Sequence, residues 1–119
     1  MTLLIVDDDQ DQCESLADVL NDVGYDVDTA SSGKQAVELA SRKPYVLMLL
    51  DLRMPDMDGL EAFRRMKEAD GRARGLLLTA FATAEAMRCA KDLGMDEVIS
   101  KPLDLPILLS RIGQVLSDN

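Results

Sequence analysis

The feature that most constrains this chain is a set of short apolar runs, each ending abruptly on a polar side chain. Leu3 to Val6 runs into Asp7, Asp8 and Asp9, Tyr45 to Leu50 into Asp51, Leu76 to Leu78 into Thr79, and the brief Glu97 to Ser100 into Lys101. An apolar run this short, bounded by polar and turn residues, marks a strand buried on both faces. A more polar stretch, Tyr25 to Ala30, alternates Tyr25, Val27 and Thr29 against Asp26 and Asp28, which predicts an edge strand with one exposed side.

Between these runs the apolar residues recur every three or four positions, the period of a helix with one buried face. Cys13, Leu16, Val19, Leu20 and Val23 precede a stop at Gly24, and Ala36, Val37, Leu39 and Ala40 lie in a short helix from Gly33 that Pro44 closes off. Leu60, Phe63 and Met66 form a third face, Thr83 to Leu93 a fourth helix halted by Gly94, and Leu105, Leu108, Leu109, Ile112 and Leu116 a fifth. Asp104 is placed to cap that last helix, with Pro106 tolerable in its first turn. Parallel strands need right-handed helical crossovers, so the alternation predicts an α/β fold: a single doubly wound five-stranded parallel sheet with five helices on both faces. The 119 residues suit one compact domain. If the strand order is 2-1-3-4-5, the first and third strands are neighbours and their terminal acids meet.

Asp7, Asp8, Asp51, Thr79 and Lys101 all stand where strands end, the side on which ligands bind such sheets. Three carboxylates at one place raise one another's pKa unless a cation enters. With oxygen donors and no histidine in the chain, magnesium, or else manganese, suits the set better than zinc or copper. Magnesium keeps some of its waters and binds phosphate oxygens. A carboxylate is a competent nucleophile toward phosphorus, and phosphoryl transfer needs mainly in-line positioning and charge neutralisation. Lys101 offers a point charge and Thr79 a hydroxyl donor. Singly, each residue has a plainer reading: the acids open a helix, Thr79 caps one, and Lys101 is a solvated charge. Their joint placement favours a site. Asp9 and Asp11 are assigned to capping and solvation.

Four segments carry a family likeness: Leu3 to Asp9, the loop Asp51-Leu52-Arg53-Met54-Pro55-Asp56-Met57-Asp58-Gly59, Thr79-Ala80 and Lys101-Pro102. Together they resemble the receiver domain of two-component response regulators over essentially the whole chain, and the loop fits the highly specific pattern D-x-x-M-P-x-M-D-G. The resemblance implies a flavodoxin-like receiver domain over 1–119, with Asp51 as the phosphoacceptor. The donor would be a phosphohistidine on a sensor histidine kinase or a phosphotransfer protein, or a small phosphodonor. The protein would assist its own phosphorylation and dephosphorylation rather than act as an enzyme. Asp8, Asp51 and the backbone carbonyl of Arg53 would bind magnesium, Asp7 acting largely through water, while Lys101 and Thr79 contact the phosphoryl group. The Lys101 to Pro102 bond would be cis.

By the same resemblance, phosphorylation alters the surface of the fourth helix, fifth strand and fifth helix, biased by the Thr79 hydroxyl. The sequence departs from the family at Val98, three residues before Lys101, where a switching tyrosine or phenylalanine is common. Val98 then reads as a core residue, with switching carried by other contacts, or else as the mark of weak or altered switching, the first being favoured. The resemblance also implies that Arg53 and Phe81 border the site, and a guanidinium and a ring there are expected to slow attack of water on the acyl phosphate. A downstream output domain and a homodimer through the last helices are left open.

The formal net charge is −9, so direct nucleic-acid binding or attraction to an acidic membrane surface is not expected. The longest apolar stretch, Val46 to Leu50, is far short of the ~20 residues of a membrane span. Cys13 and Cys89 lack metal or disulfide spacing and read as small packing residues, which makes a reducing, cytoplasmic compartment the default. Two competing functions fit less well. A phosphatase of the haloacid dehalogenase type wants a D-x-D pair after its first strand and usually a cap domain. A receiver-like module that only binds would not need the full set of acids, threonine and lysine.

Overall fold

The four apolar runs and the more polar stretch form one parallel sheet in the order β2-β1-β3-β4-β5. In the computed structural model, which describes residues 2–117, the strands are β1 (Thr2–Val6), β2 (Asp26–Ala30), β3 (Leu47–Asp51), β4 (Gly75–Thr79) and β5 (Glu97–Ser100). The helices are α1 (Gln10–Asp22), α2 (Gly33–Arg42), α3 (Gly59–Ala69), α4 (Ala84–Asp92) and α5 (Leu105–Ser117). Met1, Asp118 and Asn119 of the expected 1–119 span lie outside the described residues.

Alternation along the strands splits the core into two layers, because successive side chains leave a strand on opposite faces. Leu4, Val6, Met48, Leu50 and Leu77 meet Ala36 of α2, Ala62, Phe63 and Met66 of α3, and Ala90 of α4. Leu3, Ile5, Leu47, Leu49, Leu76 and Leu78 meet Cys13, Leu16 and Leu20 of α1 and Leu108, Ile112 and Val115 of α5. With both faces covered, every one of the central leucines is nearly or wholly buried, each contributing about 2 kcal/mol.

Each helix starts on a side chain that accepts from its first turn: Asp9 from Gln12 N, Ser32 from Gln35 N, Asp58 from Glu61 N, Thr83 from Ala86 N, and Asp104 from Ile107 N. Such caps satisfy donors that the helix itself leaves open. The stops at Gly24 and Gly94 have φ of 103° and 83°, the left-handed region that glycine enters without cost.

Several expectations need correction. Tyr25 precedes β2, and alternation fails along that strand, because Thr29 is exposed while Asp28 is drawn inward by Tyr45 and Lys43. Tyr45 and Val46 precede β3, although Tyr45 is buried. Val23 follows α1 and is exposed, as is Leu105 at the start of α5, where Val115 joins the buried face instead. Cys13 packs in the core as expected, whereas Cys89 lies exposed on α4 and is no packing residue.

Candidate functional site

Strand register decides which terminal residues can meet. Val6 pairs with Leu50, Asp51 with Leu78, and Thr79 with Ser100, so the carboxyl ends of β1, β3, β4 and β5 lie level. The residues at these ends therefore line a common cleft of about 360 Å³, with Asp7, Asp8, Asp51, Arg53, Thr79, Phe81 and Lys101 among its walls.

Asp7, Asp8 and Asp51 each offer a carboxylate oxygen within 4.8 Å of the others. Asp7 is buried, Asp51 half-buried and Asp8 exposed, which leaves the group open to solvent on one side. Lys101 reaches in from the end of β5, its Nζ 3.2 Å from Asp7 Oδ2, 3.5 Å from Asp51 Oδ1 and 3.2 Å from Gln12 Oε1. Asp7 Oδ1 also accepts from Asp9 N at 2.9 Å, so one carboxylate is held from two sides. The Lys101–Pro102 bond is cis.

One ammonium faces three carboxylates, and the balance is visible at both partners. Burial is the main cause holding the Asp51 carboxyl above its usual value, with repulsion from Asp7 and Asp8 adding to it and Lys101 opposing. Burial works against the charged form of Lys101, but attraction to Asp7 and Asp51 outweighs it and leaves the amine more basic than usual. The site is short of positive charge. A small divalent cation fits that deficit: its donors are all oxygens, three carboxylates converge on one point, and solvent access leaves room for retained waters.

Thr79 is almost fully buried, and its Oγ1 accepts from Phe81 N at 2.9 Å. A hydroxyl whose lone pair is engaged this way keeps its proton for an acceptor in the cleft. Phe81 is half exposed, and the Arg53 guanidinium stacks on it with Cζ 4.3 Å from the ring centroid. The two residues form a wall at the mouth of the cleft. Val98 is half-buried on β5 and packs against the α2, α3 and α4 core layer.

All the residues singled out at strand ends thus come together. Gln12 holds the third acceptor for Lys101 and is absent from the sequence-based set, because a glutamine in the first turn of an amphipathic helix gives no signal of its own. Asp56 reads in the sequence only as a turn residue. Its Oδ1 and Oδ2 accept from Gly33 N at 3.1 Å and Lys34 N at 2.8 Å, across 23 and 22 residues of sequence.

Comparison with known proteins bears on the fold and the family. A profile of the family described as Response regulator receiver domain matches residues 3–113. Sporulation initiation phosphotransferase F of Bacillus subtilis is 35% identical over 114 residues, 96% of this chain and 92% of that protein. A response regulator receiver protein of Anaeromyxobacter sp. is 36% identical over 106 residues, 89% of this chain but 44% of that protein, so the chain spans less than half of this relative. Among solved structures, a chain of the CheX-CheY-BeF3-Mg+2 complex from Borrelia burgdorferi superposes with a TM-score of 0.92 at 29% identity, covering 97% of this chain and 88% of that one.

Proposed function

This chain belongs to the response regulator receiver domain family of two-component phosphorelay systems, and on that premise we propose that Asp51 is the residue that accepts the phosphoryl group. The observation that carries the proposal is the convergence of Asp7, Asp8 and Asp51 within 4.8 Å, with Lys101 Nζ 3.5 Å from the Asp51 carboxylate. A carboxylate oxygen of Asp51 attacks phosphorus in line, the P–N bond of a donor phosphohistidine breaks, and the imidazole leaves with its electron pair. The product is an acyl phosphate on Asp51 and a neutral histidine on the donor.

The residues divide the work. Asp8, Asp51 and the Arg53 carbonyl hold a magnesium ion, manganese serving as a substitute, with Asp7 acting largely through water. When bound, the metal neutralises charge on the phosphoryl oxygens. Lys101 gives up an aspartate contact to meet a phosphoryl oxygen as a point charge, and the Thr79 hydroxyl donates to another. The Borrelia burgdorferi complex contains magnesium together with beryllofluoride, which supports this choice of ion for the family's fold.

The donor is a sensor histidine kinase or phosphotransfer protein, in the cytoplasm. The 1–119 span acts as one receiver domain without direct nucleic-acid contact. Among the described residues no helix is long and apolar enough to cross a membrane. The phosphorylated state alters the surface of α4, β5 and α5, which an output domain or a second copy would read. With Val98 in the core layer, the Thr79 movement is transmitted without an aromatic rotor.

Incubation with a small phosphodonor and magnesium, followed by intact mass measurement, tests the assignment. Wild type gains one phosphoryl mass and Asp51→Asn does not. An adduct of equal yield in Asp51→Asn overturns it.

A further inference from the structure

The loop between β3 and α3, residues 52–58, carries Arg53, and its two ends are fixed by ordinary means. Gly59 N donates to Leu52 O at 2.8 Å, and Asp58 caps α3. Gly59 itself sits against the Asp51 backbone so closely that a Cβ there would lie 2.3 Å from the Asp51 carbonyl oxygen. The middle of the loop is held differently, by an element distant in sequence.

At the start of α2, the Ser32 side chain accepts from Gln35 N. The two preceding amides, Gly33 N and Lys34 N, are taken by the two oxygens of Asp56. A carboxylate on the first turn of a helix also meets the positive end of the helix dipole. These amide bonds, Lys34 N first, keep the Asp56 carboxyl below its usual range. Next to it the Met57 side chain lies over Gly33, so close that a Cβ on Gly33 would fall 2.3 Å from Met57 Cγ. The loop is therefore pinned to α2 by a bidentate charge-assisted contact and by apolar packing at adjacent residues.

We propose that Asp56 is a positioning residue for the metal site: by fastening the loop to the first turn of α2 it holds the Arg53 carbonyl where the cation needs it. The inference rests on the reading of Asp51, Asp8 and Arg53 as the metal ligands. Asp56 touches neither metal nor phosphoryl group. Its effect is to reduce the number of loop conformations, so that the ligand is already oriented before the ion arrives.

Two caps on one helix provide the control. Ser32→Ala and Asp56→Ala both remove acceptors from the first turn of α2, so both should lower the melting temperature, but only Asp56 belongs to the metal loop. Magnesium binding to the unphosphorylated protein, measured by titration calorimetry, should weaken on the order of tenfold in Asp56→Ala. Asp56→Asn, which keeps one acceptor, should fall between, and Ser32→Ala should match wild type. Phosphorylation by a small phosphodonor should need correspondingly more magnesium in Asp56→Ala, with its rate at saturating magnesium little changed. Equal magnesium affinity in wild type and Asp56→Ala, with only the melting temperature lowered, overturns the proposal and leaves Asp56 a plain helix cap. A wild type that binds no magnesium overturns the reading of the site as well, which keeps the two failures distinct.

Discussion

At the scale of single residues the site is a problem of charge, and Asp51 is where the excess is felt. Its carboxyl is held above the usual value, chiefly by burial. A raised acid favours folding while protonated, and that contribution is lost as pH climbs from the unfolded carboxylate value of about 3.9 through the folded one. Ionised Asp51 therefore costs stability at neutral pH. Asp51→Asn should be more stable than wild type by on the order of 1 kcal/mol in chelator at pH 7, and the gap should close near pH 4. Magnesium should raise the melting temperature of wild type more than that of the variant. Thermal unfolding followed by circular dichroism decides this, and a less stable variant in chelator would contradict it. Phe81, stacked on Arg53 at the cleft, bears on a different step in the proposed cycle, hydrolysis of the acyl phosphate. An exposed cation–π stack is worth about 0.5–1 kcal/mol, so Phe81→Ala, by loosening the Arg53 wall, should shorten the acyl phosphate lifetime roughly two- to fivefold. Equal half-lives of the phosphorylated proteins would remove Phe81 from the account.

At the scale of elements, backbone crowding overrides propensity in one helix and not in another. Alanine is favoured over glycine inside a helix by about 1 kcal/mol. At Gly113 in α5 a Cβ meets nothing within 4 Å, so Gly113→Ala should stabilise by about 0.5–1 kcal/mol. At Gly59, the first residue of α3, the same atom would strike the Asp51 carbonyl oxygen at 2.3 Å, so Gly59→Ala should destabilise by about 2 kcal/mol or more and weaken phosphorylation. Denaturant titration of the two variants reads the opposite signs, and two shifts in one direction would refute the role given to crowding. The elements themselves were legible because fully buried strands admit only apolar side chains, and because the glycine stops after α1 and α4 need a positive φ. The faces of helix ends were less so. Val23 and Leu105 continue the apolar period past the point where the sheet still lies beneath them, and period alone does not reveal where the support ends. Likewise, nothing in its spacing distinguishes exposed Cys89 from buried Cys13. The strand-end residues were legible since the topology delivers them, whereas Gln12 and Asp56 act through side-chain reach across distant elements.

Taken as a whole, the molecule has a second polar cluster, away from the cleft, that ties the segment before β3 to the edge strand β2. Tyr45 donates to Asp28 Oδ2 at 2.8 Å, and Lys43 Nζ lies 3.0 Å from the same oxygen. Burial, then the Asp28 bond, pushes the Tyr45 phenol up to about 12. A phenol raised in the folded state supports folding fully below its unfolded value of about 10, and that support is lost as pH rises toward 12. Tyr45→Phe should cost about 1 kcal/mol at neutral pH and make the stability less steep above pH 10. A variant with the same alkaline slope as wild type would show that the phenol does not drive it.

The contact between Lys101 and Asp7 joins positions 94 apart, one at the end of the first strand and one at the end of the last. No local segment can assemble it. A chain still being synthesised carries Asp51 before it carries Lys101, and at that stage its acidic pocket lacks that ammonium. Under the assignment proposed for Asp51, a copy whose last strand is missing or misplaced lacks the ammonium that would meet the phosphoryl group, so correct assembly of the whole sheet and uptake of the signal become one requirement.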